Sequence, residues 1–176
     1  GKGVAKRLAS EGATVVILDV LQKELDATVK ELTGNGLKVS GEIVDVTSEK
    51  EIQALVQKVV AANGRLDVMV NCAGIVGETN VGYAASKSGL IGLVKGAGKE
   101  YAESGITVNG IAPAVIATEF NENTDPAMLK YMTDKIPMKR MGTIEEVAAL
   151  SCWIVSKEAS FNTGFVFDIS GGRATY

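Results

Sequence analysis

The run Thr14-Val15-Val16-Ile17-Leu18-Asp19 constrains this chain more than any other stretch. Apolar side chains, most of them β-branched, stand on consecutive positions instead of alternating with polar ones. Successive side chains of a strand point to opposite faces, so a strand of this composition needs cover on both. That condition is met in a parallel sheet sandwiched between helices and not in a half-exposed antiparallel one.

The flanking sequence supplies the helices. Gly1 to Ser10 reads as a helix with Val4, Leu8 and neighbouring alanines on one side, and Gly12 is a natural residue to end it. A second helix is expected from about Gln22 to Leu32, broken by Gly34-Asn35-Gly36. Lys38 to Val44 reads as the next strand. Thr47 or Ser48 then caps a helix to about Asn63, with Glu51 placed for a capping box from Ser48. Leu66 to Val70 is expected to be a strand ending in Asn71-Cys72-Ala73-Gly74. A long helix follows to about Glu103, then a strand over Ile106 to Ile111 that Pro113 stops. Thr143, with Glu146 three residues on, caps a helix from Ile144 to Val155, and Gly164 to Ile169 is a last strand. Strand and helix alternate at the pace of a doubly wound, Rossmann-like parallel sheet in three α/β/α layers, as one domain over 1–176.

Two segments stand out from this alternation. The long helix carries Gly89, Gly92, Gly96 and Gly98, which fits close packing either against the sheet or against a second subunit. Residues 117–140 are polar and Met-rich with only a short helix near Pro126 to Lys135, and read as a lid over a site.

Composition excludes several function classes. The net charge is -3 and no basic stripe stands out, against a nucleic-acid partner. No apolar run reaches the roughly 18–20 residues of a membrane span, and no signal peptide opens the chain. Cys72 and Cys152 sit in apolar surroundings, as reduced, buried thiols of a cytoplasmic protein would. With no histidine in the chain, a His-based triad is excluded and a catalytic zinc is disfavoured.

The chemistry is expected where the strands end, because ligands of open parallel sheets bind beyond the carboxyl ends of the strands. Asp19, with Val20 beside it, ends the apolar run at the distance from Gly1 at which an acidic residue holds an adenosine ribose. A carboxylate there repels a 2′-phosphate, which selects NAD and makes NADP the lesser candidate. Taken alone, an Asp in that position is also a common turn residue. Asp45-Val46 can meet an adenine ring through a carboxylate facing the exocyclic amine and an apolar contact. Asn71, Ala73 and Gly74 provide polar and small residues where backbone must approach a ribose or pyrophosphate.

Tyr83-Ala84-Ala85-Ser86-Lys87 places a phenol and an ammonium one helical turn apart, with small residues between them. An ammonium within ~4–6 Å of a phenol favours its phenolate and suits it to proton transfer near neutral pH. The chain contains its own comparison in Tyr131-Met132-Thr133-Asp134-Lys135, the same spacing with bulky and acidic residues between. Either pair alone describes a solvated helix face more often than a catalytic dyad, so the surrounding motifs carry the choice of Tyr83.

Those motifs resemble the short-chain dehydrogenase/reductases from Gly1 to Gly172. Tyr83 and Lys87 resemble the family's catalytic pair, and Asn71-Cys72-Ala73-Gly74 its Asn-Asn-Ala-Gly motif with Cys for the second Asn. Pro113-Ala114-Val115-Ile116-Ala117-Thr118 is similar to its Pro-Gly-x-Ile-x-Thr segment, with Ala for Gly, and Gly1 to the third glycine of its phosphate loop. The resemblance implies hydride transfer between a nicotinamide and a carbonyl or secondary alcohol, on a small-molecule substrate such as a sugar, a sugar acid or a 3-oxoacyl thioester. It implies that Tyr83 is the general acid/base, that Lys87 also holds the nicotinamide ribose, and that the Ile116 backbone and Thr118 orient the carboxamide. A homodimer or homotetramer is implied too. The family's catalytic Ser, its helical Asn, and the helix and strand before the Tyr have no counterpart here. In its 3-2-1-4-5-6-7 sheet the first and fifth strands are inner ones. A break in the chain is therefore expected between Gly74 and Val81, and if those elements are truly absent the expectation becomes a non-catalytic nucleotide-binding or assembly subunit.

Overall fold

The apolar run forms β1, Val15–Asp19, and pairs in parallel with β2, Val39–Ile43, in the register Val15↔Val39 to Asp19↔Ile43. The structure is a computed structural model that describes residues 1–74, 80–121 and 124–174. The chain forms two compact units, Gly1–Ile75 and Val76–Tyr176.

In the first unit α1, Lys2–Ser10, buries Val4, Ala5 and Ala9, and α2, Gln22–Gly34, buries Leu25 and Leu32. Gly41 lets α2 sit this close to β2: a Cβ there would fall 2.8 Å from Leu25 Cγ and 2.9 Å from its Cδ1. Gly12 follows α1 at φ 98°, the left-handed conformation that ends a helix without Cβ strain. The third helix, α3, Glu49–Asn63, ends at left-handed Gly64. Its expected capping box is half made. Ser48 Oγ accepts from Glu51 N at 3.4 Å, but the Glu51 carboxylate accepts from Asp45 N at 2.9 Å instead of from Ser48.

The expected strand over Leu66 to Val70 is absent, and 65–74 has no regular structure. Leu66, Val68, Met69 and Val70 are all exposed. A strand exists only where its backbone groups find a ladder partner. In the family's sheet order this run lies between the first and fifth strands, and neither is found among the described residues. The expected break between Gly74 and Val81 falls largely on 75–79, outside the described residues.

The second unit opens with α4, Asn80–Glu100, followed by a single 3-10 turn, Ala102–Ser104, and left-handed Gly105. The strand expected over Ile106 to Ile111 is displaced: β3 runs Gly110–Pro113 and pairs in parallel with β4, Val166–Ile169. The residues before it are held by other bonds. Asn109 Nδ2 donates to Asn162 O at 2.8 Å, its Oδ1 accepts from Phe165 N at 3.3 Å, and Gly164 N donates to Val108 O at 2.8 Å. Pro113 lies inside the strand, as an edge position without an N–H permits. Gly98 of α4 packs on Gly164, where a Cβ would collide with the backbone, whereas Gly89, Gly92 and Gly96 face open space.

The segment expected to be a lid contains a 3-10 turn, Glu119–Asn121, and α5, Pro126–Asp134, capped by Asp125 accepting from Ala127 N. α6, Ile144–Ile154, has the complete expected box: Thr143 Oγ1 accepts from Glu146 N, and the Glu146 carboxylate accepts from Thr143 N. Among the described residues no helix is long and apolar enough to cross a membrane.

Candidate functional site

The two parallel strand pairs bring Asp19 and Asp45 in the first unit, and Pro113 and Ala114 in the second, to a carboxyl edge. In the first unit Val44 N donates to Asp19 O at 3.1 Å, so the Asp19-Val20 and Asp45-Val46 segments leave the pair side by side. Asp19 Oδ1 accepts from Val20 N at 2.7 Å and Leu21 N at 3.0 Å, which turns the chain into α2. Asp45 Oδ1 accepts from the amide and hydroxyl of Thr47, both at 2.8 Å, and these bonds hold the Asp45 carboxyl below its ordinary range. Both carboxylates thus serve as turn residues, and both remain exposed, as do Val20 and Val46. Contrary to the expected burial of both thiols, Cys72 is exposed and Cys152 half-buried, Cys72 because the run before it forms no strand. The Cβ that Gly1 lacks would lie 3.8 Å from Cys72 Cβ. The amino end of α1 and Cys72 of the Asn71-Cys72-Ala73-Gly74 segment therefore adjoin, which suits a phosphate-bearing ligand: a helix start, whose first N–H groups have no intrahelical partners, beside small residues.

In the second unit Tyr83 and Lys87 share one face of α4. Lys87 Nζ lies 5.3 Å from the centre of the Tyr83 ring, and Ser86 Oγ donates to Tyr83 O at 2.8 Å. The comparison pair on α5 is tighter: Lys135 Nζ donates to the Tyr131 hydroxyl at 2.5 Å. That bond, with the Lys135 charge, holds the exposed Tyr131 phenol below its ordinary range.

Pro113 and Ala114 leave the carboxyl end of β3, with Ala114 N donating to Ile169 O at 3.3 Å. Ile116 pairs with Gly142 as a single parallel bridge, in which Gly142 N donates to Val115 O at 3.0 Å and Ala117 N to Gly142 O at 2.9 Å. Thr118 is exposed, and its carbonyl accepts from Asn121 N at 2.9 Å. A hollow of about 240 Å³ opens beyond β3 and β4, walled by Ala114, Ile136, Met138, Arg140, Ile169 and Gly171 among others. Gly171, at φ 63°, is bound to be glycine here, since a Cβ would come 2.7 Å from Ile136 Cγ2.

Sequence reasoning did not find Asn121, Arg140 or Gly142. Asn121 Nδ2 donates to Ile116 O at 2.5 Å. Arg140 reaches both Glu146 oxygens, at 2.9 and 2.6 Å, and so holds the Glu146 carboxyl down to about 2. Glu146 was legible only as a helix cap. The remaining partners lie five or more positions away along the chain, outside any helical or strand period.

Two family models match the chain: "short chain dehydrogenase" over residues 1–82 and "Enoyl-(Acyl carrier protein) reductase" over residues 76–174. The 3-oxoacyl-acyl-carrier-protein reductase FabG of Thermotoga maritima is 32% identical, over 98% of this chain and 92% of the relative. The 2-dehydro-3-deoxy-L-rhamnonate dehydrogenase (NAD(+)) of a Sphingomonas species is 29% identical, over 100% of this chain and 91% of the relative. Among solved structures, an actinorhodin polyketide ketoreductase with NADPH is similar at a TM-score of 0.90 and 25% identity, over 100% of this chain and 93% of the other. The alignment with the Thermotoga protein has 228 positions against 176 residues here, so at least 52 of its positions have no counterpart in this chain. With motifs in family order on an α/β frame of that likeness, the chain belongs to the short-chain dehydrogenase/reductase family, the NAD(P)-using oxidoreductases of carbonyl and CH–OH groups.

Proposed function

We propose that this chain, as a single dinucleotide-binding domain, transfers a hydride between NAD(H) and a carbonyl or secondary alcohol. The substrate class is a sugar, a sugar acid or a 3-oxoacyl thioester, in keeping with the names of the relatives. The observation that carries this reading is the Tyr83–Lys87 pair on one face of α4, with the ammonium 5.3 Å from the ring centre. In reduction Tyr83 gives its hydroxyl proton to the substrate oxygen, and in oxidation the Tyr83 phenolate takes the proton from the alcohol. The Lys87 ammonium, on the same helix face as Tyr83, holds ribose hydroxyls. NAD(H), when bound, supplies or accepts the hydride.

The other residues bind and orient. Asp19 accepts from the adenosine ribose hydroxyls, with Val20, Asp45 and Val46 about the adenine. Gly1, Asn71, Ala73 and Gly74 approach phosphate and ribose. Pro113, Ala114, Ile116 and Thr118 surround the nicotinamide. The neighbouring of Gly1 and Cys72 supports the phosphate role, since an added Cβ at position 1 would already be in contact with the Cys72 Cβ, at 3.8 Å. A cytoplasmic homodimer or homotetramer belongs to the same proposal.

A second reading, a non-catalytic nucleotide-binding or assembly subunit, is favoured by one observation: the 52 or more relative positions without a counterpart. Turnover of NADH with a panel of 3-oxoacyl thioesters, sugars and sugar acids separates the two. The first reading expects turnover that Tyr83→Phe removes while NADH still binds. Nucleotide binding without turnover in the unaltered protein would give the second reading the case.

A further inference from the structure

We infer that Gly142, Arg140, Glu146 and Asn121 are positioning residues that fix the Ile116 N–H for the nicotinamide carboxamide. The inference rests on the reading of the Ile116 backbone given above. A parallel bridge centred on Ile116 uses the flanking groups, here the Val115 carbonyl and the Ala117 amide, both bonded to Gly142. The N–H and C=O of Ile116 itself therefore point to the opposite edge. Of these the carbonyl is taken by Asn121 Nδ2 at 2.5 Å, while the N–H has no partner among the described residues. A half-buried residue thus presents one unpaired backbone donor, held in orientation from both sides.

What holds Gly142 in place is the ion pair beside it. Arg140 donates two bonds to the Glu146 carboxylate and a third to Met141 O at 3.1 Å, and the same carboxylate accepts from Thr143 N at 2.8 Å. Residues 140–143 are thereby tied to the first turn of α6. A Cβ on Gly142 would come 2.6 Å from Ile116 Cδ1, the far end of that side chain, so a side chain at position 142 acts by displacing Ile116. Gly142 is not at a positive φ, so alanine is allowed by its backbone and acts through that contact alone.

Two measurements test the inference. In the first, NADH and ADP-ribose are titrated into the unaltered protein, Gly142→Ala, and Gly142→Ala with Ile116→Val. ADP-ribose lacks the nicotinamide and reports on the adenosine end only. Gly142→Ala is expected to weaken NADH about tenfold, as a small misplacement of an orienting group does, with ADP-ribose unchanged. The added Ile116→Val removes Cδ1 and is expected to restore NADH binding, which a general loss of stability would not allow. Unchanged NADH binding in Gly142→Ala, or a double variant no better than the single, overturns the inference. In the second, amide exchange is followed without ligand. Glu146→Gln is expected to speed exchange at the Gly142 and Ala117 amides about tenfold, beyond any change within α6. Unchanged exchange there also overturns it. If the unaltered protein binds NADH no better than ADP-ribose, the nicotinamide reading of Ile116 falls and the inference with it, whereas the exchange result still reports whether the clasp exists.

Discussion

Lys87 holds its ammonium 5.3 Å from the centre of the Tyr83 ring, and no hydrogen bond joins the two side chains among the described residues. The pair is on one helix face, but the phenol keeps its hydroxyl free to meet a substrate oxygen. In the other pair the Tyr131 hydroxyl already receives the Lys135 proton bond. A hydroxyl so engaged has lost one acceptor position, and its ammonium is committed to it. Tyr83→Phe is therefore expected to lower kcat by roughly 10²–10⁴-fold, the usual worth of a positioned acid or base, with NADH affinity near that of the unaltered protein. Tyr131→Phe is expected to leave kcat nearly unchanged. Steady-state kinetics with a fluorescence titration of NADH check both, and equal losses in the two variants would remove the distinction drawn here.

The Tyr131 pair predicts a titration of its own. The Lys135 bond, then the Lys135 charge, hold the Tyr131 phenol below its ordinary range. Phenolate absorbance should accordingly rise at lower pH in the unaltered protein than in Lys135→Met. A rise at the same pH in both would show that the bond to Lys135 does not persist in solution.

The proposed preference for NAD is tested at Asp19. Its Oδ1 accepts the Val20 and Leu21 amides, a turn that a serine hydroxyl can also make. Asp19→Ser thus removes the negative charge while keeping the local fold. NAD is expected to bind about tenfold more weakly, the scale of a lost charge-assisted bond, and NADP to improve as its 2′-phosphate is no longer repelled. Measured kcat/KM for the two cofactors decides the point, and an unchanged ratio would leave Asp19 a turn residue only.

Much of this frame was legible because the signals are local. The consecutive apolar residues of Thr14 to Asp19 require cover on two faces, and the strand they form is parallel. Thr143 and Glu146 announce the start of α6 within four residues. Leu66 to Val70 has the same local signature as β1 and yet forms no strand, because a ladder depends on a neighbour that the run itself does not encode. The strand expected from Ile106 begins only at Gly110 for a related reason. The Asn109 side chain and the Val108 carbonyl are bonded to the turn before β4, which places the ladder after them. The Tyr83 motif could be read from spacing, but the clasp on Ile116 joins positions 116, 121 and 142, and such separations have no period to read.

The Glu146 carboxyl makes an acid-sensitivity prediction with a definite sign. Arg140, chiefly through its hydrogen bonds, and the Thr143 amide depress it from an ordinary 4.5 to about 2. A group whose pKa is lower in the folded state stabilises the fold above its unfolded value and loses that contribution as pH falls through the folded one. The Tm advantage of the unaltered protein over Glu146→Gln should be full at neutral pH, shrink below pH 4.5 and reach its floor near pH 2. A difference constant with pH across that window would mean that the charge does not hold the clasp.

The glycines of α4 yield a pair of substitutions with opposite signs. Gly98 faces Gly164, and a Cβ there would lie 2.5 Å from the Gly164 Cα. Backbone cannot yield as a flexible side chain can, so Gly98→Ala is expected to cost roughly 1–3 kcal/mol, the scale of overpacking. Gly92 is exposed with nothing within 4 Å of an added Cβ. There the gain in helix propensity is unopposed, and Gly92→Ala is expected to add about 1 kcal/mol. Denaturant unfolding of the two variants measures both effects. Read beside the oligomeric state, it also separates the two uses of glycine that the sequence left open. If Gly92 lies against a second subunit, Gly92→Ala loses its gain and weakens assembly, so a stabilised variant of unchanged oligomeric state would place close glycine packing at Gly98 and Gly164 alone.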